Sequence, residues 1–391
     1  MSENKLRFGI IGVGNMGSGH VKTLLAGQVE GAELTAVCDG FEPKREWAKK
    51  EWPGLPVFED SASMIDSGLV DAVVVATPHY DHPTEAIQAF AKGMHVLIEK
   101  PAGVYVKQVR KMNEAAAASG KTFGIMYNQR MNPLYQKLRE LVVSGELGEI
   151  RRTNWIITNW YRSQAYYDSG SWRATWAGEG GGVLINQCPH NLDLWQWAVG
   201  GLMPVRVRAF CQFGKHRSIE VENDVTAYVE YDNGATGVFI TSTADAPGTN
   251  RFEVTGDRGK IVIEDGKMTF WRLRESEQEF NARNKASFAS PECWKIDIPS
   301  SGKSPEHRGI LQNFTNAVLK GEKLVAPGEE GIYGLTISNA MHLSTWLDDW
   351  VDLPFNEDLH EAELNKRIAA SSFKKPETEQ TAAPADLTGT H

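Results

Sequence analysis

Two sets of residues in this chain have the types and spacing to do chemistry. The first is Gly12-Val13-Gly14-Asn15-Met16-Gly17, which follows the apolar run Leu6 to Ile11 and opens a segment able to form a helix. Asp39 closes a second apolar run, Leu34 to Cys38. Strand, glycine turn, helix and a second strand ending in a carboxylate form the layout that holds a dinucleotide. Gly12 permits the sharp turn, Gly14 lets a pyrophosphate approach the backbone, and Gly17 lets helix pack close to strand. The helix start at Asn15 and Met16 turns its amides, and a partial positive charge, toward the phosphates. Asp39 can accept from ribose hydroxyls and repel a 2′-phosphate, so NAD is expected over NADP, with Lys44 and Arg45 as nearby cations that argue the other way.

The second set lies further on. Glu99-Lys100-Pro101 follows the apolar run His95 to Ile98. A lysine at the end of a parallel strand can lie beside a substrate hydroxyl and lower its pKa. The plainer reading is a surface lysine paired with Glu99. Thr77-Pro78-His79-Tyr80-Asp81-His82 follows the β-branched run Val70 to Ala76. Loops past such strands line the ligand crevice, which places Thr77 and His82 against the nicotinamide ribose or the pyrophosphate. Asn186 and His190 stand at helical spacing after Gly180-Gly181-Gly182, in a segment 180–198 that reads as a helix, so the two are expected on one face. A lone helical histidine is more often a satisfied core residue.

The elements that must position these groups change character along the chain. From Leu6 to about Tyr127, strand-like and helix-like segments alternate, which predicts a doubly wound parallel sheet. From Asn128 to residue 373 a second α/β domain is expected. Its strands run between Val205 and Leu273 with turns such as Asp232-Asn233-Gly234, and they should form an open, largely antiparallel sheet. The polar tail, 374–391, reads as disordered. The net charge of −9 argues against nucleic acid and anionic membrane as partners. Four scattered cysteines offer neither a disulfide framework nor a metal site and fit a reducing compartment. With no apolar run near the length of a span and no signal peptide, a cytoplasmic protein is expected. Six of the twelve tryptophans fall between Trp155 and Trp197, joined by Tyr161, Tyr166 and Tyr167. Such rings can pack on the C–H face of a sugar while Asn159, Arg162, Asn186 and Gln187 read its hydroxyls; an aromatic core or subunit interface is the alternative.

These motifs together resemble the Gfo/Idh/MocA oxidoreductases. The resemblance rests on Gly12 to Gly17, the Thr77-Pro78 loop with His82, Glu99-Lys100-Pro101 and Asn128-x-Arg130-x-Asn132-Pro133, followed by Trp172-Arg173, Gly180 to Gly182 and Asn186-x-x-x-His190-x-x-Asp193. It implies a Rossmann domain followed by an α/β domain with an open sheet. It implies Lys100 and His190 as catalytic residues, His190 being the proton acceptor. It places Glu99, Asn128, Trp172 and Arg173 with the cofactor, and Tyr127 and Arg130 with the substrate. Asn186 stands where many dehydrogenases of the family carry aspartate, and an amide cannot raise the pKa of His190 as a carboxylate would. The implied reaction is NAD-dependent oxidation of a secondary hydroxyl on a cyclic sugar or anhydrosugar, with C3 of levoglucosan the sharpest expectation. Inositol oxidation, NAD-dependent glycoside hydrolysis and a non-catalytic NAD- and sugar-binding sensor are the alternatives. The uncovered face of an open sheet implies a homodimer or homotetramer.

Overall fold

The structure is a computed structural model that describes residues 5–300 and 302–373; the tail expected to be disordered lies outside the described residues. Six strands form the first sheet: β1 (Leu6–Ile11), β2 (Ala32–Cys38), β3 (Val57–Phe58), β4 (Ala72–Val75), β5 (His95–Ile98) and β6 (Phe123–Ile125). All pair in parallel in the order β3-β2-β1-β4-β5-β6. The order reverses between β1 and β4, and the carboxyl ends of these neighbours frame the crevice in which such sheets bind ligands. β4 is Ala-Val-Val-Val with every residue buried, because helices cover both faces of the sheet. The helix Glu306–Lys320, distant in sequence, returns to this sheet. Its Phe314 lies 6.0 Å from Phe8, ring centroid to ring centroid, within the same core.

The second sheet has nine strands: β7 (Ile150–Ile157), β8 (Arg206–Phe213), β9 (Glu222–Glu230), β10 (Thr236–Ser242), β11 (Asn250–Gly256), β12 (Gly259–Glu264), β13 (Lys267–Leu273), β14 (Cys293–Ile298) and β15 (Val351–Asp352). The order is β14-β13-β12-β11-β7-β10-β9-β8-β15, and only the β7–β10 pairing is parallel. Inward residues alternate along each strand, as in β10, where Gly237, Phe239 and Thr241 are buried. The helices Pro189–Trp197 and Gly331–Leu347 cover this inner face. Among the described residues, no helix is long and apolar enough to cross a membrane.

One expected element is shorter than its glycines and spacing implied. Only Pro189–Trp197 is helical in the segment 180–198, and residues 180–188 form turns. Pro189 sits in the first turn, where its missing N–H costs nothing. Asn186 therefore lies in the turn before the helix and does not share a helical face with His190.

Candidate active site

The glycine loop after β1 is packed on one side and open on the other. Gly12 has φ +91°, and a Cβ there would lie 2.7 Å from the Ala76 carbonyl oxygen, at the end of the neighbouring β4. A Cβ on Gly17 would lie 1.8 Å from the Gly12 oxygen, so this glycine is what lets the helix Asn15–Leu25 sit on the strand. Gly14 differs: its Cβ would meet only the Lys44 Nζ, at 3.5 Å. No side chain caps the helix at Gly14. Asp39 accepts N–H bonds from Val13 and Phe41, each at 2.9 Å, which anchors its carboxylate beside the loop. Arg45 donates to the carbonyls of Asp39 and Gly40. Thr77 Oγ1 is buried with no hydrogen-bond partner among the described residues. An open cradle, an uncapped helix start, an anchored carboxylate and an orphaned hydroxyl fit the phosphates and ribose hydroxyls of a dinucleotide.

His82 is buried and turns both ring nitrogens to carbonyls, Nδ1 to Pro101 at 2.7 Å and Nε2 to Thr77 at 2.8 Å. Burial pushes its pKa down, although both carbonyls oppose that shift. In this position it ties the loop after β4 to the loop after β5 and offers no ring nitrogen to a cofactor. Asn128 donates to Glu306 at 2.8 Å, while its Oδ1 is buried without a partner among the described residues.

Lys100 follows β5, and its Nζ donates to the main-chain oxygen of Asn186 at 2.9 Å. Burial lowers its pKa; Glu99 and Glu179 oppose that shift, and Arg173 and Arg162 add to it. Glu99 is buried against His20, 2.7 Å away, and accepts the Lys100 N–H at 3.1 Å. Burial alone would raise the Glu99 carboxyl, but the bond and charge of His20, with His307 and Lys100, hold it down at about 2. His190 is the second residue of the helix Pro189–Trp197, and the edge-on ring of Tyr127 lies 6.0 Å from it. The Lys100–Asn186 bond thus joins the parallel sheet to the turn that leads into the His190 helix.

Tyr127 and Arg130 lie beneath this centre, not at its surface. Tyr127 is buried, with its hydroxyl directed to the Gly331 carbonyl at 3.5 Å. Arg130 is fully buried and pairs with Asp193 through Nε at 2.8 Å and Nη2 at 2.6 Å. Its Nη1 reaches Glu330 and the Val325 carbonyl. With these partners the guanidinium braces the His190 helix instead of facing a substrate.

The segment after β7 forms the outer wall. Asn159 and Tyr161 are exposed, and Tyr161 carries the Arg217 guanidinium 5.1 Å above its ring. Tyr166 is a hub. Its hydroxyl accepts from Arg173 and from Gln187, each at 3.0 Å, and Arg162 lies 5.1 Å from its ring centre. Trp172 packs edge-on to His79 with Arg173 over its face. The tryptophans divide. Trp155 and Trp195 fill the inner face of the second sheet, Trp176 packs on His342 and Trp346, and Trp197 lies between Arg130 and Arg139. Only Trp160 and Trp172 of the six remain half-buried near this wall.

Two carboxylates absent from the sequence reading hold the centre together. Glu222 accepts the N–H groups of Gly182 and Leu184 at 2.9 and 3.0 Å, and no pattern around it in β9 marks it. Glu179 is buried, accepts the Ala174 N–H at 2.6 Å and receives the side-chain N–H of Asn186. Its place directly before the glycine run was the available signal.

Two family models match the chain. One, described as an oxidoreductase family with an NAD-binding Rossmann fold, matches residues 6–127, and one described as the GFO/IDH/MocA C-terminal domain matches residues 135–262. Inositol 2-dehydrogenase of Pseudarthrobacter chlorophenolicus is 32% identical over 275 residues, covering 67% of this chain and 77% of that protein. Three other curated relatives are matched over 58%, 74% and 53% of their own lengths. The WlbA dehydrogenase from Bordetella pertussis, solved with NADH and UDP-GlcNAcA, superposes with a TM-score of 0.75 at 24% identity, covering 90% of this chain and 100% of that one. Levoglucosan dehydrogenase, solved with NADH and levoglucosan, gives 0.73 at 20% identity over 90% and 100%. At these identities the two structures establish a shared fold.

Proposed function

The chain belongs to the Gfo/Idh/MocA oxidoreductases, and on that premise we propose that it is an NAD-dependent dehydrogenase of a secondary hydroxyl on a cyclic sugar or polyol. The observation that carries this reading is Lys100, a half-buried lysine at the carboxyl edge of the parallel sheet, bonded to the turn that presents His190. The loop from Gly12 to Gly17, Asp39 and Thr77 would hold the dinucleotide, whose nicotinamide supplies the hydride acceptor when bound. His190 takes the hydroxyl proton, and Lys100 stabilises the negative charge that develops on the oxygen. The carbon gives up its hydrogen with the bonding pair, the oxygen gives up its proton, and a ketone remains. The anchored Asp39 supports NAD over NADP.

Levoglucosan at C3 is the finer reading. It drew on the tryptophan-rich stretch, and the half-buried Trp160 and Trp172 are its remaining aromatic support. Inositol is the competing neutral substrate, in line with the inositol 2-dehydrogenase relative. A sugar bearing an acid group is favoured by a separate observation. Arg162, one of the charged groups that act on Lys100, has its Nε buried without a hydrogen-bond partner and forms no ion pair among the described residues. The test is NADH formation across levoglucosan, glucosides, glucose, inositols and hexuronates, each with NAD and with NADP. Accumulating NADH is expected with at least one compound, and the preferred one ranks the three substrate readings. Bound NAD without turnover on any of them would overturn the dehydrogenase reading in favour of the hydrolase or the sensor.

A further inference from the structure

We propose that Glu179 is the carboxylate of this catalytic centre, a positioning residue that acts through Asn186 and supplies the negative charge that position 186 lacks. The proposal rests on Lys100 being the catalytic cation. Asn186 connects the two groups with its two ends: its main-chain oxygen accepts the Lys100 ammonium at 2.9 Å, and its side-chain N–H is donated to Glu179. The amide of Asn186 is thereby oriented, with Oδ1 turned away from the carboxylate.

The backbone is built to bring Glu179 there. Gly180 has φ +80°, and a Cβ on it would lie 2.4 Å from Val104 Cγ1. A Cβ on Gly182 would lie 1.9 Å from the main-chain oxygen of Glu222. A larger residue would push the turn off Val104 at Gly180 and off β9 at Gly182. The other carboxylate oxygen of Glu179 accepts the Ala174 N–H at 2.6 Å, and the Glu179 carbonyl faces His79 Nδ1 at 3.2 Å. Both oxygens accept N–H donors, an arrangement the ionised form satisfies. Burial raises the Glu179 pKa, which Arg173, Asn186 and the Ala174 N–H oppose and Glu222 reinforces. The charged groups that act on Lys100 are Glu99, Glu179, Arg173 and Arg162. His79 lies within the electrostatic reach of Lys100 and Arg173, and burial holds it neutral by pushing its pKa well down. Removing the Glu179 charge therefore leaves Lys100 with Glu99 as its remaining carboxylate among these groups, against two guanidinium groups.

A charge swap tests this. Glu179→Gln keeps the shape and deletes the charge. Asn186→Asp puts two carboxylates face to face. The double variant keeps one charge and one N–H···O bond with the polarity reversed. In Glu179→Gln the alkaline limb of the kcat/KM profile should fall by about one pH unit, as expected for the loss of one neighbouring charge, while NADH affinity holds. Asn186→Asp alone should lose activity, and the double variant should recover both the activity and the limb. A second readout needs no substrate: the rate at which acetic anhydride acetylates Lys100, followed by peptide mass, should rise in Glu179→Gln at a fixed pH near neutrality. This separates failure of the inference from failure of the dehydrogenase reading. An unmoved limb and an unmoved acetylation rate would overturn the role of Glu179. So would an Asn186→Asp effect that is the same with and without Glu179→Gln, and that comparison decides the matter even if Glu179→Gln alone folds poorly.

Discussion

On the proposed mechanism Lys100 must keep its proton while half-buried, and its neighbours decide how far up the pH scale it does so. Burial lowers its pKa from the ordinary 10.5, and Glu99 and Glu179 offset part of that fall. On the proposed mechanism the ammonium is the working form, so activity should be lost as pH rises through this lowered value. The alkaline limb of kcat/KM should therefore lie below the ordinary lysine range, and a limb at or above that range would contradict the assignment. Lys100→Ala should abolish turnover while NADH titration stays close to wild type; retained turnover would remove Lys100 from the mechanism. The glycines allow a sharper contrast. Gly14→Ala has room apart from the Lys44 ammonium, so it should keep its melting temperature and lose NADH affinity. Gly17→Ala would force a Cβ to 1.8 Å from the Gly12 oxygen, so it should lose melting temperature first. The idea fails if both variants melt like the parent.

At the scale of elements, the placing of His190 depends on a buried ion pair. The short helix Pro189–Trp197 carries Asp193 on its inner side, and Arg130 grips both of its oxygens from the turn before the helix Pro133–Val143. Replacing both partners by apolar groups can be nearly neutral, but removing one strands the other. Arg130→Met should thus cost about 3–5 kcal/mol of stability, read as a shift in the urea unfolding midpoint. A shift worth less than about 1 kcal/mol would mean that water reaches Asp193 and that the brace is weak. Glu222 plays a parallel part for the glycine run, with Gly182 and Leu184 N–H groups on one oxygen and His342 3.0 Å from the other.

At the scale of the whole molecule, the second sheet has one covered face and one open face. The helix Gly331–Leu347 closes the inner face, with Ser344 Oγ accepting the Ala209 N–H at 3.0 Å. On the opposite face Phe210 and Tyr228 are 56% and 38% exposed, and Val238 and Ile240 are half-buried beside them. An apolar sheet face of this kind favours a second copy of the chain over water. A homodimer or homotetramer should appear in solution scattering, and Phe210→Glu should shift it toward smaller species. A monomeric wild type would contradict the reading.

The local chemistry of the chain determined the dinucleotide loop, the parallel sheet and the place of Lys100. Each depends on neighbours within one strand–turn–helix unit: Gly12 on its own turn, Val73 to Val75 on a strand buried on both faces, Lys100 on the strand directly before it. The family resemblance rested on the same short stretches. What lay beyond local reach was decided by tertiary packing. Arg130 meets Asp193 across 63 residues, so the family resemblance placed it with the substrate while its partner makes it a brace. Trp155 and Trp195 were drawn into the core because the inner face of a wide sheet must be filled with large apolar side chains. Asn186 left the helix because the glycines and Pro189 start it late. Only that turn brings the side chain of Asn186 to Glu179 while its carbonyl meets Lys100 at the edge of the parallel sheet, a meeting of residues that is visible only in three dimensions.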